Sequence, residues 1–174
     1  NIKLILSSST FKVFSSSDIQ GVELAGALKN IYAICCGIAH AKNVGENALG
    51  FIITRSMAEM SRFAVAKGAN PITFLGLSGM GDLMATCTSK LSRNFQLGEL
   101  IARDISLLEA KELVGQVAEG ARTLEVVYQE AQTMQVSMPM VESLYNILYK
   151  GVKSEQLLED LLDHPNEVDV EFTQ

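Results

Sequence analysis

The stretch from residue 22 to residue 42, VELAGALKNIYAICCGIAHAK, constrains the fold most. Its apolar side chains recur at helical spacing, with a stripe through Leu24, Leu28, Ile31 and Cys35. A helix this apolar has to be covered by other elements, and the chain reads as a multi-helix bundle with two long central helices, of which this is the first. One lysine, Lys29, stands in the middle. Its helical neighbours are Ala25, Gly26, Tyr32 and Ala33. Either its stem runs along apolar surface and delivers the ammonium to water, or it is a desolvated amine that gives and takes a proton. Gly26, three residues before it, leaves room for a ligand or another backbone.

The rest of the chain follows the same helical habit. Residues 46–67 read as a second long helix, ended by Gly68. Asn70 and Pro71 then form the cap and first position of a restart. Further helices are expected at 79–87, 93–103, 106–115, 119–134, 138–150 and 154–162. With 3 prolines and 6% aromatics, composition favours helix over strand. Residues 1–20 differ: Phe11-Lys12-Val13-Phe14 reads as a short strand between serine loops. That segment looks like the tail of another unit. The expected organisation is therefore residues 1–20 as such a tail, residues 21–163 as an all-helical domain, and residues 164–174 as a polar tail.

Several function classes are disfavoured. A net charge of −6 argues against a nucleic-acid surface, although a local cluster of donors can still bind one phosphate. Cys35, Cys36 and Cys87 lack C-x-x-C spacing and read as reduced thiols packed in a cytoplasmic protein. Asn1 opens the chain without the basic region of a secretory signal. The most apolar run, Ile31 to Ala41, is shorter than the ~20 residues that cross a bilayer. His40 and His164 stand too isolated to suggest a metal site.

Three other stretches carry candidate chemistry. In GLSGMGDLMATCTSKLSRN, residues 76–94, the glycines do not follow G-x-G-x-x-G and no strand precedes them, so a dinucleotide-binding phosphate loop is disfavoured. Asp82 is either a first-turn helix acid or a carboxylate partner for Lys29, and Thr86 lies four residues on along the same face. Ser92 reads as a helix N-cap, which puts Arg93 and Asn94 in the first turn. A guanidinium and an amide at a helix N-terminus make a phosphate site; a capped surface helix with a solvated arginine is the plain alternative. In VAEGARTLEVV, residues 117–127, Glu119 either complements the helix dipole or accepts hydrogen bonds from ligand hydroxyls. The methionines of SMPMVESLYNIL, a capped helix starting near its proline, read as core.

Taken in order, DIQGVELAGALKN, KGANPITFLGLSGMGDLMATCTSKLSRN and VAEGARTLEVV resemble the substrate-binding half of bacterial-type NAD(P)-dependent glycerol-3-phosphate dehydrogenase. The resemblance runs from about Phe11 to Gly151. It implies an all-α domain of the 6-phosphogluconate-dehydrogenase C-terminal type, preceded by a remnant of a Rossmann domain. It also implies reduction of dihydroxyacetone phosphate to sn-glycerol 3-phosphate, a glycerophospholipid precursor, with NAD or NADP held mainly by the other half. By the same resemblance Lys29 is the proton donor and acceptor, and Asp82 is the acid beside it. Ser92, Arg93 and Asn94 contact substrate, with Thr86 an additional site residue. Arg93, Val117 and Glu119 contact the cofactor. A cytoplasmic homodimer without metal is implied as well. Two other readings stand beside it: a non-catalytic helical dimerisation module, and a related two-domain hydroxy-acid dehydrogenase.

Overall fold

The computed structural model describes residues 2–115 and 119–163, and every regular element within them is helical. A short α1 (Ile2–Leu6) leads by an irregular segment to the long α2 (Ile19–Ala41). Asp18 starts α2 by accepting the Gly21 N–H at 2.9 Å. Its other carboxylate oxygen accepts the Asn70 N–H at 3.0 Å and the Thr73 hydroxyl at 2.6 Å. One side chain thus fastens the start of α2 to the 3₁₀ turn Pro71–Leu75. These bonds, the Thr73 hydroxyl first, hold the Asp18 carboxyl below its ordinary range.

From Leu28 to Ala39 most of α2 is buried, with Ile31, Tyr32, Ile34, Cys35, Cys36 and Ile38 all at 0% exposure. By length and composition this helix could cross a membrane. Here it is the central element, packed against α3 (Glu46–Ala66), α4 (Asp82–Cys87), α5 (Arg93–Ile101) and α7 (Glu119–Met134). α5 makes the closest approach to α2, with Asn94 beside Asn30 and Glu99 beside His40. The approach requires glycine. A Cβ at Gly98 would fall 2.1 Å from the Ile34 carbonyl oxygen, and one at Gly37 would fall 2.0 Å from that of Phe95. The outer elements are α6 (Leu107–Val114), α8 (Pro139–Lys150) and α9 (Gln156–Asp163). The Tyr149 hydroxyl ties α8 to the first turn of α7 by donating to the Ala121 carbonyl at 2.7 Å.

Three expectations are corrected. Residues 11–14 form no strand; the segment is irregular, and Phe11 and Phe14 are 61% and 71% exposed. Among the described residues no second strand lies alongside to accept its backbone groups, and β structure needs that pairing. The helix expected over 79–87 divides into a π turn, Leu77–Gly81, followed by α4. The cap of α8 is not local. Met138 at its N-cap offers no side-chain bond, and Glu59 of α3 supplies the acceptor instead, taking the Met140 N–H at 2.7 Å and the Val141 N–H at 3.4 Å. Residues 164–174 lie outside the described residues.

Candidate active site

Lys29 and Asp82 meet. The Lys29 ammonium donates to Asp82 Oδ2, a short, charge-assisted contact between two side chains that are 23% and 37% exposed. Asp82 is the first residue of α4, so both sequence readings of it hold together: it is a first-turn acid and it is the partner of Lys29. Its position is set by the turn before it. A Cβ at Gly79 would fall 2.2 Å from the Phe74 carbonyl oxygen, which locks the π turn onto the preceding 3₁₀ turn. Thr86, one turn further along α4, donates its hydroxyl to the Asp82 carbonyl at 2.6 Å. A Cβ at Gly26 would meet nothing within 4 Å, so open space adjoins the helical face one turn before Lys29.

Ser92 caps α5 as the sequence predicts, accepting the Phe95 N–H at 3.4 Å. The preceding N–H groups of the first turn have no acceptor within the helix and add to the partial positive charge at its end. Arg93 is exposed there, while Asn94 is buried. The Asn94 carboxamide turns inward. Its Nδ2 donates to Asn30 Oδ1 at 2.9 Å, and its Oδ1 accepts the Gly120 N–H at 3.0 Å. Glu119 is the exposed first residue of α7, next to Gly120. Val117 lies outside the described residues.

The structure therefore groups Lys29, Asp82 and Thr86 across α2 and α4, and joins α2, α5 and α7 through Asn30, Asn94 and Gly120. Among the described residues no cluster of three metal-ligating side chains occurs. Cys35, Cys36 and Cys87 are free and buried. Burial pushes the Cys35 thiol well above its usual value; Cys87 is pushed up chiefly by its contact with Cys36, with burial second.

Sequence reasoning missed Asn30, Gly120 and Glu59. Glu59 is 2% exposed and accepts from the Tyr32 hydroxyl at 3.1 Å in addition to capping α8. Burial raises its pKa from 4.5 to about 7 despite these donors and the Arg62 charge. The legible signal was an acid, Glu59, and a base, Arg62, one turn apart inside the apolar run SMAEMSRFA.

Fold and site together define an all-helical domain that displays an amine–carboxylate pair near a helix N-terminus bearing a guanidinium. Residues 18–159 match the family model of the NAD-dependent glycerol-3-phosphate dehydrogenase C-terminus. Among curated relatives, the glycerol-3-phosphate dehydrogenase [NAD(P)+] of Alcanivorax borkumensis is 52% identical over 167 residues, 96% of this chain and 49% of that protein. The Pseudomonas entomophila protein of the same description is 48% identical over 171 residues, 98% of this chain and 50% of its own length. The crystal structure of glycerol-3-phosphate dehydrogenase from Coxiella burnetii superposes with a TM-score of 0.88 at 34% identity, covering 94% of this chain and 50% of that one. The chain belongs to the NAD-dependent glycerol-3-phosphate dehydrogenase family and corresponds to its C-terminal domain. It spans about half the length of the curated relatives it matches.

Proposed function

We propose that this chain is the substrate-binding half of an enzyme that reduces dihydroxyacetone phosphate to sn-glycerol 3-phosphate. The observation that carries the reading is the Lys29–Asp82 pair, a part-buried ammonium held by a carboxylate beside open space. The nicotinamide nucleotide, bound mainly by the other half of such an enzyme, supplies a hydride to the ketone carbon. As that carbon is reduced, negative charge grows on the carbonyl oxygen. Lys29 neutralises it and delivers a proton, general acid catalysis of the kind that contributes ~10²–10⁴-fold. Asp82 holds the ammonium in place through their ion pair. Ser92, Arg93 and the first-turn N–H groups of α5 receive the phosphate, which fixes the ketone relative to Lys29. Thr86 holds the first turn of α4, which carries Asp82.

The residues present suit a nicotinamide nucleotide as a neighbour. Arg93 and Glu119 are both exposed at the starts of α5 and α7, which the Asn94–Gly120 bond ties together. The guanidinium suits a phosphate and the carboxylate suits ribose hydroxyls. Residues 1–20, whose apolar side chains Ile2, Ile5, Phe11 and Phe14 are exposed, are read as the junction to the dinucleotide-binding half. Family membership and three unpaired thiols support a homodimer in a reducing compartment such as the cytoplasm.

The test is Lys29→Ala in the full-length protein. Turnover with dihydroxyacetone phosphate is expected to fall by about 10²-fold or more with the fold intact by circular dichroism. A variant that keeps near-normal kcat would remove Lys29 from the chemistry.

A further inference from the structure

Each of three functional candidates is followed in the chain by a member of one hydrogen-bonded chain. Lys29 precedes Asn30, Arg93 precedes Asn94, and Glu119 precedes Gly120. The chain runs from the Gly26 carbonyl, which accepts Asn30 Nδ2 at 3.3 Å, through Asn30 Oδ1 and Asn94 Nδ2 at 2.9 Å, to Asn94 Oδ1 and the Gly120 N–H at 3.0 Å. Its ends fix its direction. A backbone carbonyl only accepts and a backbone N–H only donates, so one orientation of both carboxamides satisfies every link. Asn94 is 8% exposed, and Gly120 is buried against it. A Cβ at Gly120 would fall 2.5 Å from the Asn30 carbonyl oxygen and 2.7 Å from Asn94 Oδ1, so no larger residue fits while the chain is closed.

We propose that the Asn94 side chain is a positioning residue rather than a substrate ligand: its carboxamide clasps Asn30 of α2 to Gly120 of α7 and sets the cofactor-side turn of α7 against the helices that carry Lys29 and Arg93. The proposal rests on the reading of Glu119 as a cofactor contact. Asn94 Oδ1 serves as the acceptor for a first-turn N–H of α7, a cap supplied from another helix. With the clasp closed, Glu119 stands at a fixed place relative to Arg93, so the hydride donor and the anchored phosphate are held in one frame. The substrate phosphate then meets the backbone of Asn94 and the Arg93 guanidinium, while the amide side chain faces inward.

Asn94→Ala and Gly120→Ala, made separately and together in the full-length protein, test this. Asn94→Ala removes both links. Gly120→Ala forces the clasp open without altering any group that reaches substrate. Each single variant is expected to raise the KM for the nicotinamide nucleotide by about tenfold or more, with a smaller change in the KM for dihydroxyacetone phosphate. The double variant should be no worse than the worse single one. Hydrogen exchange at the Gly120 amide should accelerate in Asn94→Ala and stay slow in Asn94→Asp, which retains the acceptor. The proposal is overturned if Asn94→Ala raises only the KM for the phosphorylated substrate while the Gly120 amide stays protected. It is equally overturned if a folded Gly120→Ala enzyme has an unchanged nucleotide KM. Should Gly120→Ala fail to fold, Asn30→Ala, which removes the acceptor on α2, takes its place with the same expected nucleotide effect. If the wild-type protein does not reduce dihydroxyacetone phosphate, the functional reading fails, and the exchange measurement still decides whether the clasp exists.

Discussion

Glu59 caps α8 from across the core: its carboxylate accepts the N–H of Met140, 81 positions along the chain, at 2.7 Å. The same carboxylate holds the Tyr32 hydroxyl of α2 at 3.1 Å, three residues beyond Lys29. Glu59→Ala would leave the Met140 and Val141 N–H groups and the Tyr32 hydroxyl without this acceptor. The expected loss is about 3 kcal/mol of unfolding free energy, read from urea denaturation. A loss below about 0.5 kcal/mol would mean that water replaces the carboxylate as the acceptor.

The pH dependence of that site has a definite sign. Burial raises the folded-state value of Glu59 from 4.5 to about 7, so the folded chain holds more protons than the unfolded one in between. Stability from this group is fully present below pH 4.5 and lost as pH rises through about 7. The span corresponds to roughly 3 kcal/mol at 1.36 kcal/mol for each pH unit. Unfolding free energies measured between pH 4.5 and 7.5 should fall, and Glu59→Gln should flatten the curve. An unchanged slope in Glu59→Gln would assign the effect elsewhere.

The α2–α5 contact predicts a packing defect. Gly98→Ala places a methyl 2.1 Å from the Ile34 carbonyl oxygen, and backbone on both sides has to move. Destabilisation of about 3 kcal/mol is expected, the upper end of overpacking costs. Gly26→Ala, facing open space, should change stability by about 0.5 kcal/mol or less in either direction. Equal effects from the two substitutions would contradict the described packing.

Arg93→Ala separates anchoring from chemistry. The guanidinium is exposed at the α5 N-terminus. In the full-length protein the KM for dihydroxyacetone phosphate should rise ~10–100-fold, the range of a lost charged hydrogen bond, with a smaller change in kcat. A KM unmoved by the substitution would take the phosphate away from this helix end.

The thiols should be inert in the folded state. Cys35, Cys36 and Cys87 are each 0% exposed, and the environments of Cys35 and Cys87 disfavour their thiolates. Labelling by a thiol-exchange reagent should be slow until the protein is unfolded, when all three react. Rapid native labelling would show that the α2–α4 interface opens.

The sequence by itself determined the local elements and supplied the candidate side chains. Apolar periodicity located α2 and α3, Ser92 announced α5, and Asn70 with Pro71 announced the turn before the glycines. These are short-range effects, in which spacing and capping act within a few residues. Tertiary structure decided what depends on partners distant along the chain. It joined the two readings of Asp82, first-turn acid and ion-pair partner, by carrying Lys29 to it from 53 positions away. It turned Asn94 inward to a glycine and an asparagine on two other helices. It gave α8 a cap from α3, and among the described residues it set no strand beside residues 11–14. A hydrogen bond or ion pair acts over a few ångströms, so which distant residues share one is settled only when packing has brought them together.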